Sequence, residues 1–122
     1  MENEIKSITI NGTEYVPKSS QAQADQLDGM KYVIVRTDSA GVFAGYLKSR
    51  SGQEVVLKKA RRIWYWSGAA SLSQLAQSGT SSPDKCKFPE PVDTVELLQA
   101  IEILDVTTTA KKTIDSVSIW KQ

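Results

Sequence analysis

Three stretches of apolar and β-branched residues in the middle of the chain are separated by turn residues. They cover residues 31–37, 42–49 and 53–66, and the two turns between them contain Gly41 and Gly52. Alternation of this kind, interrupted by glycine, is typical of consecutive antiparallel strands. The pattern therefore predicts a small antiparallel β-sheet as the core of the protein.

In the third of these stretches, alternate side chains should point to opposite faces of the sheet. One face would carry Val55, Leu57, Lys59, Arg61, Ile63 and Tyr65, and the other Val56, Lys58, Ala60, Arg62, Trp64 and Trp66. Arg61 and Arg62 are thus predicted to lie on opposite faces, and at most one of them can line a given pocket.

Two short helices are predicted after these strands. Ser67 is a good N-cap for a helix whose apolar stripe ends at Gly79. A loop over residues 80–91 follows, and residues 94–104 favour a strand because they include β-branched isoleucines.

The last helix is predicted to begin at a threonine cap, Thr107 or Thr108. Its inward-facing residues would be Ile114, Val117 and Trp120.

The N-terminal part has a different pattern. Residues 7–16 place Asn11-Gly12 between two β-prone runs, which predicts a β-hairpin with a type I′ turn. Residues 17–29 contain hardly any apolar anchor and are predicted to be a linker or a weak helix. We therefore expect an α+β protein with a hairpin arm and linker over residues 1–29 and a single ligand-binding domain over residues 30–122.

The composition excludes several kinds of chemistry. The 122 residues include no histidine, so serine–histidine catalysis and histidine metal sites are impossible. The acidic residues form no paired motif such as DxD, and neither a P-loop nor a Rossmann glycine motif is present. The single cysteine, Cys86, is expected to be a small core residue. We expect a protein that is not an enzyme and that has no cofactor or metal ion.

The expected compartment is the cytoplasm. The N-terminus lacks the basic start and apolar segment of a signal peptide, and no apolar run is long enough to span a membrane. A membrane is therefore not an expected partner.

The charge is unevenly distributed. Residues 31–66 carry eight cations, including all four arginines, and two anions, which gives a net charge of +6; the rest of the chain carries seven cations and twelve anions, a net charge of −5. Arginine is well suited to phosphate, so the centre of the chain favours an anionic ligand, although an ordinary solvated sheet face gives the same pattern. A total charge of +1 argues against an extended contact with duplex DNA.

The stretch RRIWYWSGAA at residues 61–70 adds aromatic rings and a predicted helix start. Rings stack on bases, arginine binds phosphate and free amides at a helix start bind anions. These features favour a nucleotide-sized ligand, although core packing also accounts for such aromatics. The candidate ligand contacts are Arg36, Ser39, Gly41, Phe43, Arg61, Arg62, Trp64, Trp66, Ser67, Gly68, Ala69 and Phe88. Arg62 is the preferred phosphate contact and Arg36 the second choice.

Several sequence blocks also form a recognisable set. They are YVIVRTDSAGVFAGYLKSRSGQEVVLKKARRIWYWSGAASLSQLAQSG, CKF, AIEILDV and IDSVSIWK, all within residues 31–121. In these blocks the chain resembles the small bacteriophage proteins of the first Thoeris anti-defence family, and ARRIWYWSGAASLSQLA is the most specific part of the resemblance.

The resemblance implies a sponge without catalytic activity. Thoeris defence converts NAD into a cyclic ADP-ribose isomer, and members of this family bind that signal, glycocyclic ADP-ribose (gcADPR), intact in the infected bacterial host. They are homo-oligomers, which implies a dimer or hexamer here, with pockets near subunit interfaces, and some also hold cyclic oligonucleotides. The residues leave two other functions open: a phage structural or interaction module without a nucleotide ligand, and a carboxylate-dependent nucleotide hydrolase.

Overall fold

The computed structural model describes residues 22–122 and the backbone of two short N-terminal strands. These strands, β1 (Ile8–Ile10) and β2 (Thr13–Tyr15), pair antiparallel with Ile8 opposite Tyr15 and form a sheet of their own. The predicted hairpin is confirmed in its strands. Its proposed type I′ turn at Asn11-Gly12 lies outside the described residues, as do positions 17–21 of the predicted linker.

The core is a five-stranded antiparallel sheet with two helices, which confirms the predicted α+β class. Its elements are β3 (Tyr32–Thr37), β4 (Val42–Ser51), β5 (Glu54–Arg62), α1 (Leu72–Ser78), β6 (Val92–Leu97), β7 (Ala100–Asp105) and α2 (Thr108–Asp115), with a short 3₁₀ turn at Pro83–Lys85. The strand order is β6-β5-β4-β3-β7. The single strand expected over residues 94–104 is wrong, because Leu98 and Gln99 reverse the chain between two strands.

The sheet is strongly curled. Strands β6 and β7 lie at its opposite edges, yet only two residues join them, so the edges must approach each other at that end. The amide of Ala100 donates to the Gln53 carbonyl at 3.0 Å, and the amide of Asp38 donates to the Gln99 carbonyl at 2.9 Å. The curl surrounds an inner core of Val33, Val35, Phe43, Val55, Leu57, Ala60, Leu97 and Ala100.

The outer face of the same sheet is covered by the two helices and the chain around them. This outer core includes Tyr32, Ile34, Ala44, Ile63, Leu75, Phe88, Ala110, Ile114 and Val117. Strand β3 contributes to both cores, because Val33 and Val35 face inward whereas Tyr32 and Ile34 face the helices. Burial on both sides explains why this strand is almost continuously apolar.

A bulge in β5 changes the predicted division of its side chains. Lys59 adopts a left-handed backbone with φ of +50°. The register advances by three residues from Lys58 to Arg61 while β4 advances by two from Tyr46 to Ala44. One extra residue therefore sits in β5, and side chains beyond it exchange faces. Ala60, not Lys59, follows Leu57 into the inner core.

The first helix starts later than predicted. Ser71, rather than Ser67, is the N-cap, and its Oγ accepts a hydrogen bond from the Gln74 amide at 3.1 Å. The predicted end is confirmed, since Gly79 is the C-cap with φ of +79° and its amide donates to the Leu75 carbonyl at 3.0 Å.

The second helix agrees more closely with the prediction. Thr107 is its N-cap, and its Oγ1 accepts from the Ala110 amide at 3.0 Å. Ile114 and Val117 are buried as expected, but Trp120 is 39% exposed, so its predicted inward orientation is wrong. The chain has left the helix by Ser116, and the helical spacing that suggested burial of Trp120 no longer applies.

Residues 22–29 are neither a free linker nor a helix. Ala24 is buried, and its amide donates to the Val106 carbonyl at 2.9 Å. The amide of Thr108 donates to the Ala22 carbonyl at 2.8 Å. These backbone bonds anchor the segment beside α2, although its sequence has few apolar residues.

Truncation distinguishes this anchored segment from the residues before it. We expect removal of residues 1–29 to lower the melting temperature further than removal of residues 1–21, because only the longer deletion uncovers Val106 and breaks the bonds of Ala22 and Ala24. Thermal melts of both truncated chains, followed by circular dichroism, measure the difference. Equal melting temperatures would contradict the anchoring role.

Candidate functional site

The structure does not gather the twelve predicted contact residues into one pocket. Arg62, Gly41 and Phe43 lie together at the turn between β3 and β4. The Arg62 guanidinium lies 4.3 Å from the centre of the Phe43 ring and donates from Nη1 to the Ala40 carbonyl. Gly41, with φ of +99°, forms the turn beside it. Arg62 is exposed, so this small group is open to solvent.

Arg36 and Ser39 lie near the same turn, but their side chains form hydrogen bonds with β7 and with the turn that precedes it. Arg36 is flanked by inward-facing Val35, so it points outward, and its Nε donates to Glu102 Oε1 at 2.9 Å. Ser39 Oγ donates to Gln99 Oε1 at 3.2 Å. Arg36 and Arg62 therefore lie on opposite faces of the sheet and do not converge on one ligand.

Arg61 is buried on the outer side of the sheet, where its guanidinium forms hydrogen bonds with backbone carbonyls. Its guanidinium donates to the carbonyls of Phe88, Pro89 and Ile114, each at 3.3 Å, and lies 5.4 Å from the centre of the buried Phe88 ring. Burial lowers the pKa of Arg61 from its ordinary value, with Tyr32 and Asp115 opposing the shift. The predicted opposite orientation of Arg61 and Arg62 is confirmed by these contacts.

Trp64 and its neighbour Tyr65 form an exposed aromatic surface with Lys87 and Trp120, two residues that the sequence did not associate with them. Its ring stacks on Trp120 with centres 4.8 Å apart and an interplanar angle of 20°. Lys87 Nζ lies 5.6 to 5.8 Å from the ring centres of Trp64, Tyr65 and Trp120. The pairing of Tyr65 with Lys87 holds this surface together, with amide–carbonyl distances of 2.8 and 3.2 Å.

Residues 66–69 form a tightly packed loop, not the helix start that was predicted as an anion seat. Trp66 Nε1 donates to the Ala69 carbonyl at 3.2 Å, and the Ser67 carbonyl accepts a hydrogen bond from Thr80 Oγ1. A Cβ on Gly68 would lie 2.5 Å from Thr80 Oγ1 and 2.6 Å from the Ser82 amide nitrogen. The glycine is thus required by close packing within the protein.

A cleft beside α2 is another candidate site. It has a volume of about 530 Å³, which is within the usual range of roughly 300 to 1,000 Å³ for small-molecule pockets. Its lining residues are Tyr32, Tyr46, Lys59, Arg61, Pro91, Lys111, Asp115, Val117 and Ile119. We call it the α2 cleft. Of the twelve predicted residues, only Arg61 lines it.

The α2 cleft combines two tyrosines with three cationic side chains and one carboxylate. Tyr32 and Tyr46 are opposite each other on β3 and β4, with ring centres 5.1 Å apart in an edge-to-face arrangement. Lys111 Nζ lies 4.9 Å from the Tyr32 ring centre and 2.6 Å from Asp115 Oδ2. Asp115 offsets only one of the three positive charges, so the cleft as a whole favours an anion.

The pKa values of two cleft residues are raised. Burial raises the pKa of Tyr32, and the negative charge of Asp115 adds to the effect. Burial alone would lower the pKa of Lys111, but its hydrogen bond to Asp115 and the charges of Asp115 and Tyr46 outweigh burial and raise it. At neutral pH the cleft therefore holds a protonated lysine beside a neutral phenol.

The Tyr32 hydroxyl is a donor available to a ligand in the α2 cleft. Tyr32 is only 4% exposed, and no hydrogen bond joins its hydroxyl to any of the residues that the structure describes. Among the described residues it has no acceptor, and a bound ligand with an acceptor oxygen would supply one. Hydroxyl and ammonium donors in one concave site suit a phosphate or carboxylate group.

Sequence analysis missed most of this cleft because its residues are far apart in the chain. Tyr32 and Tyr46 become neighbours through strand register, and Lys111 with Asp115 through the four-residue spacing of a helix. That spacing was visible in the sequence, but nothing in the sequence indicated that it would face β3.

In the part of the chain that the structure describes, no group of three or more His, Cys, Asp or Glu residues could hold a metal ion. No helix among these residues has the length and apolar character needed to cross a bilayer.

The two adjacent arginines should differ in their contribution to stability. We expect Arg61→Ala to lower the free energy of unfolding by at least about 2 kcal/mol, since it leaves three carbonyls without their charged donor. Arg62→Ala removes one exposed bond and a ring contact and should cost about 1 kcal/mol or less. Urea denaturation of both variants tests the assignment, and similar losses would contradict it.

The raised pKa values predict a loss of stability at alkaline pH. Tyr32 and Lys111 hold their protons more tightly in the folded than in the unfolded chain, so their contribution is complete below the unfolded pKa values of about 10 and is lost above them. Tyr32→Phe should make the fall in the free energy of unfolding between about pH 9 and pH 11 shallower. Urea midpoints across this range measure it, and Tyr65→Phe, an exposed tyrosine outside the cleft, should retain the parent's slope.

The comparisons with known proteins identify a family without assigning a function. A family described as a domain of unknown function (DUF6948) matches residues 30–114, which include the whole curled sheet and nearly all of α2. No curated protein and no solved structure matches the sequence. Because the match extends over more than half of the chain, the protein belongs to the DUF6948 family.

Proposed function

We propose that this protein binds a small anionic nucleotide and sequesters it without cleaving it. The class of ligand is the cyclic ADP-ribose isomer indicated by the resemblance to Thoeris anti-defence proteins, and cyclic oligonucleotides are a second ligand of the same charge. The observation that carries the proposal is the α2 cleft, where Lys59, Lys111 and Arg61 outnumber the single carboxylate of Asp115. The compartment of action is the cytoplasm of the infected bacterial host.

The shape and chemistry of the cleft support this ligand class. Two phosphates need cationic donors, which Lys59 and Lys111 provide, while a ribose or base needs flat or apolar surface. The ring of Tyr46 and the side chain of Ile119 provide such surface in the same cleft. Sequestration also requires binding without turnover, and a cleft with one carboxylate, already paired with a lysine, is poorly equipped to hydrolyse a phosphate bond.

The exposed aromatic surface favours a second candidate, an interaction module. Trp64, Tyr65, Ile119 and Trp120 are each between 39% and 57% exposed, and together they offer more apolar area than scattered surface residues do. A homo-oligomer, whether a dimer or a hexamer, is compatible with both candidates. Ile119 lines the α2 cleft and the next residue, Trp120, belongs to the exposed aromatic surface, so a subunit contact at this surface would lie beside the cleft. This candidate requires no nucleotide.

A binding panel separates the candidates. The full chain is melted with glycocyclic ADP-ribose, linear ADP-ribose, a cyclic dinucleotide and AMP. A ligand present at one hundred times its dissociation constant should raise the free energy of unfolding by about 2.7 kcal/mol. We expect the cyclic ADP-ribose isomer to give this shift and to be recovered unchanged after the protein is denatured.

The other outcomes identify the alternatives. A cleaved product would establish the carboxylate-dependent hydrolase, and no shift with any nucleotide would leave the interaction module. Arg62→Ala belongs in the same experiment, because Arg62 remains the predicted phosphate contact at the β3–β4 turn. A ten- to a hundredfold loss of affinity, roughly the value of one hydrogen bond to a charged group, would move the site from the cleft to that turn.

A further inference from the structure

We propose that the α2 cleft contains a phosphate subsite formed by the Tyr32 hydroxyl and the Lys59 and Lys111 ammonium groups, and that the Asp115 carboxylate, which is paired with Lys111, competes with a ligand for this subsite. The proposal deepens the proposed function and rests on it for the identity of the natural ligand. The chemical class of the subsite's occupant is a phosphate ester or pyrophosphate.

The position of Asp115 is the first support. Its Oδ2 lies 2.6 Å from Lys111 Nζ, and its charge also acts on Tyr32 and on Arg61. The carboxylate therefore contacts Lys111 directly and acts on Tyr32 and Arg61 through its charge alone. An external anion that approached these groups would compete with Asp115 for the same donors.

Asp115 can leave this position without disrupting the fold. Its side chain is 54% exposed, so a rotation would place the carboxylate in water, and ion pairs four residues apart on a helix surface are weak. Lys111 is held by more than Asp115, because its ammonium also lies against the rings of Tyr32 and Tyr46. The lysine would therefore stay in place when the carboxylate is displaced.

Lys59 is placed at the cleft by the bulge in β5. In a regular strand it would follow Leu57 toward the inner core, whereas the extra residue puts Ala60 there and leaves Lys59 at the cleft wall. A φ of +50° is uncommon for a residue other than glycine or asparagine and is often found at functional positions. Neither a hydrogen bond nor an ion pair joins the Lys59 ammonium to the described residues. Its charge acts on Asp93, but that carboxylate is hydrogen-bonded to Lys58, so Lys59 can contact an anion in the cleft.

Pyrophosphate titration tests the subsite without the natural ligand. Isothermal titration of the full chain is compared with Asp115→Asn and with Lys59→Asn, a residue that tolerates the left-handed backbone. We expect Asp115→Asn to bind pyrophosphate about three- to tenfold more tightly, since the competing carboxylate is gone. Lys59→Asn should bind about ten- to a hundredfold more weakly, as expected for loss of one charged hydrogen bond.

Two matched variants control for charge alone. Asp105→Asn removes a carboxylate of the same 54% exposure that pairs with Lys31 outside the cleft, and Lys85→Asn removes an exposed lysine of the 3₁₀ turn. Both should keep the parent's affinity within about twofold, because Coulomb forces between exposed groups are screened over distance. Thermal melts of all four variants show whether each one folds.

The results also separate this proposal from the proposed function. The subsite is wrong if Asp115→Asn binds pyrophosphate with the same affinity as Asp105→Asn, or if Lys59→Asn binds it with the same affinity as Lys85→Asn. This holds even where a cyclic nucleotide binds. If pyrophosphate binds as expected and no cyclic nucleotide binds, the subsite stands and the proposed ligand is wrong. Failure of folded parent protein to bind pyrophosphate would overturn the subsite.

Discussion

One extra residue in β5 determines which side chains reach each face of the sheet. A strand has strict two-residue alternation, so a bulge exchanges the faces of every residue beyond it. Before Lys59, Val55 and Leu57 face the inner core; after it, Ala60 faces the inner core. Arg61 is thereby directed to the outer layer, and Arg62 to the rim of the inner core above Phe43. Adjacent residues face apart in any strand, but the bulge decides that Arg61 faces the helices and Arg62 the inner core.

The outer layer depends on Arg61 because much of it is irregular chain. The segment between β5 and β6 contains only α1 and a 3₁₀ turn, so its backbone has few regular hydrogen bonds to position it. Arg61 connects the carbonyls of Phe88 and Pro89 to that of Ile114 at the end of α2. A single guanidinium can satisfy three acceptors in fixed directions, which an ammonium cannot do in the same plane. It thus joins the sheet, the long connection and the last helix.

Local patterns predicted the elements better than they predicted the site. The three central strands, the Thr107 cap and the Gly79 helix end follow from alternation and capping, which depend on near neighbours. The site depends on register and curl, which bring Tyr46 opposite Tyr32 and place α2 over both. The α1 start was misplaced because serines at 67 and 71 both suit an N-cap, but Gly68 has a φ of +86°, which is incompatible with a helix that begins after Ser67. The predicted contacts were chosen within short stretches, where residues adjacent in sequence face apart.

The position of β3 has a consequence for how the chain is made. This strand lies between β4, its neighbour in sequence, and β7, which begins at Ala100, 63 positions after β3 ends at Thr37. Until β7 leaves the ribosome, one edge of a strand composed of Tyr32, Val33, Ile34 and Val35 has no hydrogen-bonding partner. Such an edge pairs readily with other exposed strands. A nascent chain in which β7 has not yet been made therefore presents an apolar strand with one unpaired edge, and synthesis at high density would favour association between such incomplete chains.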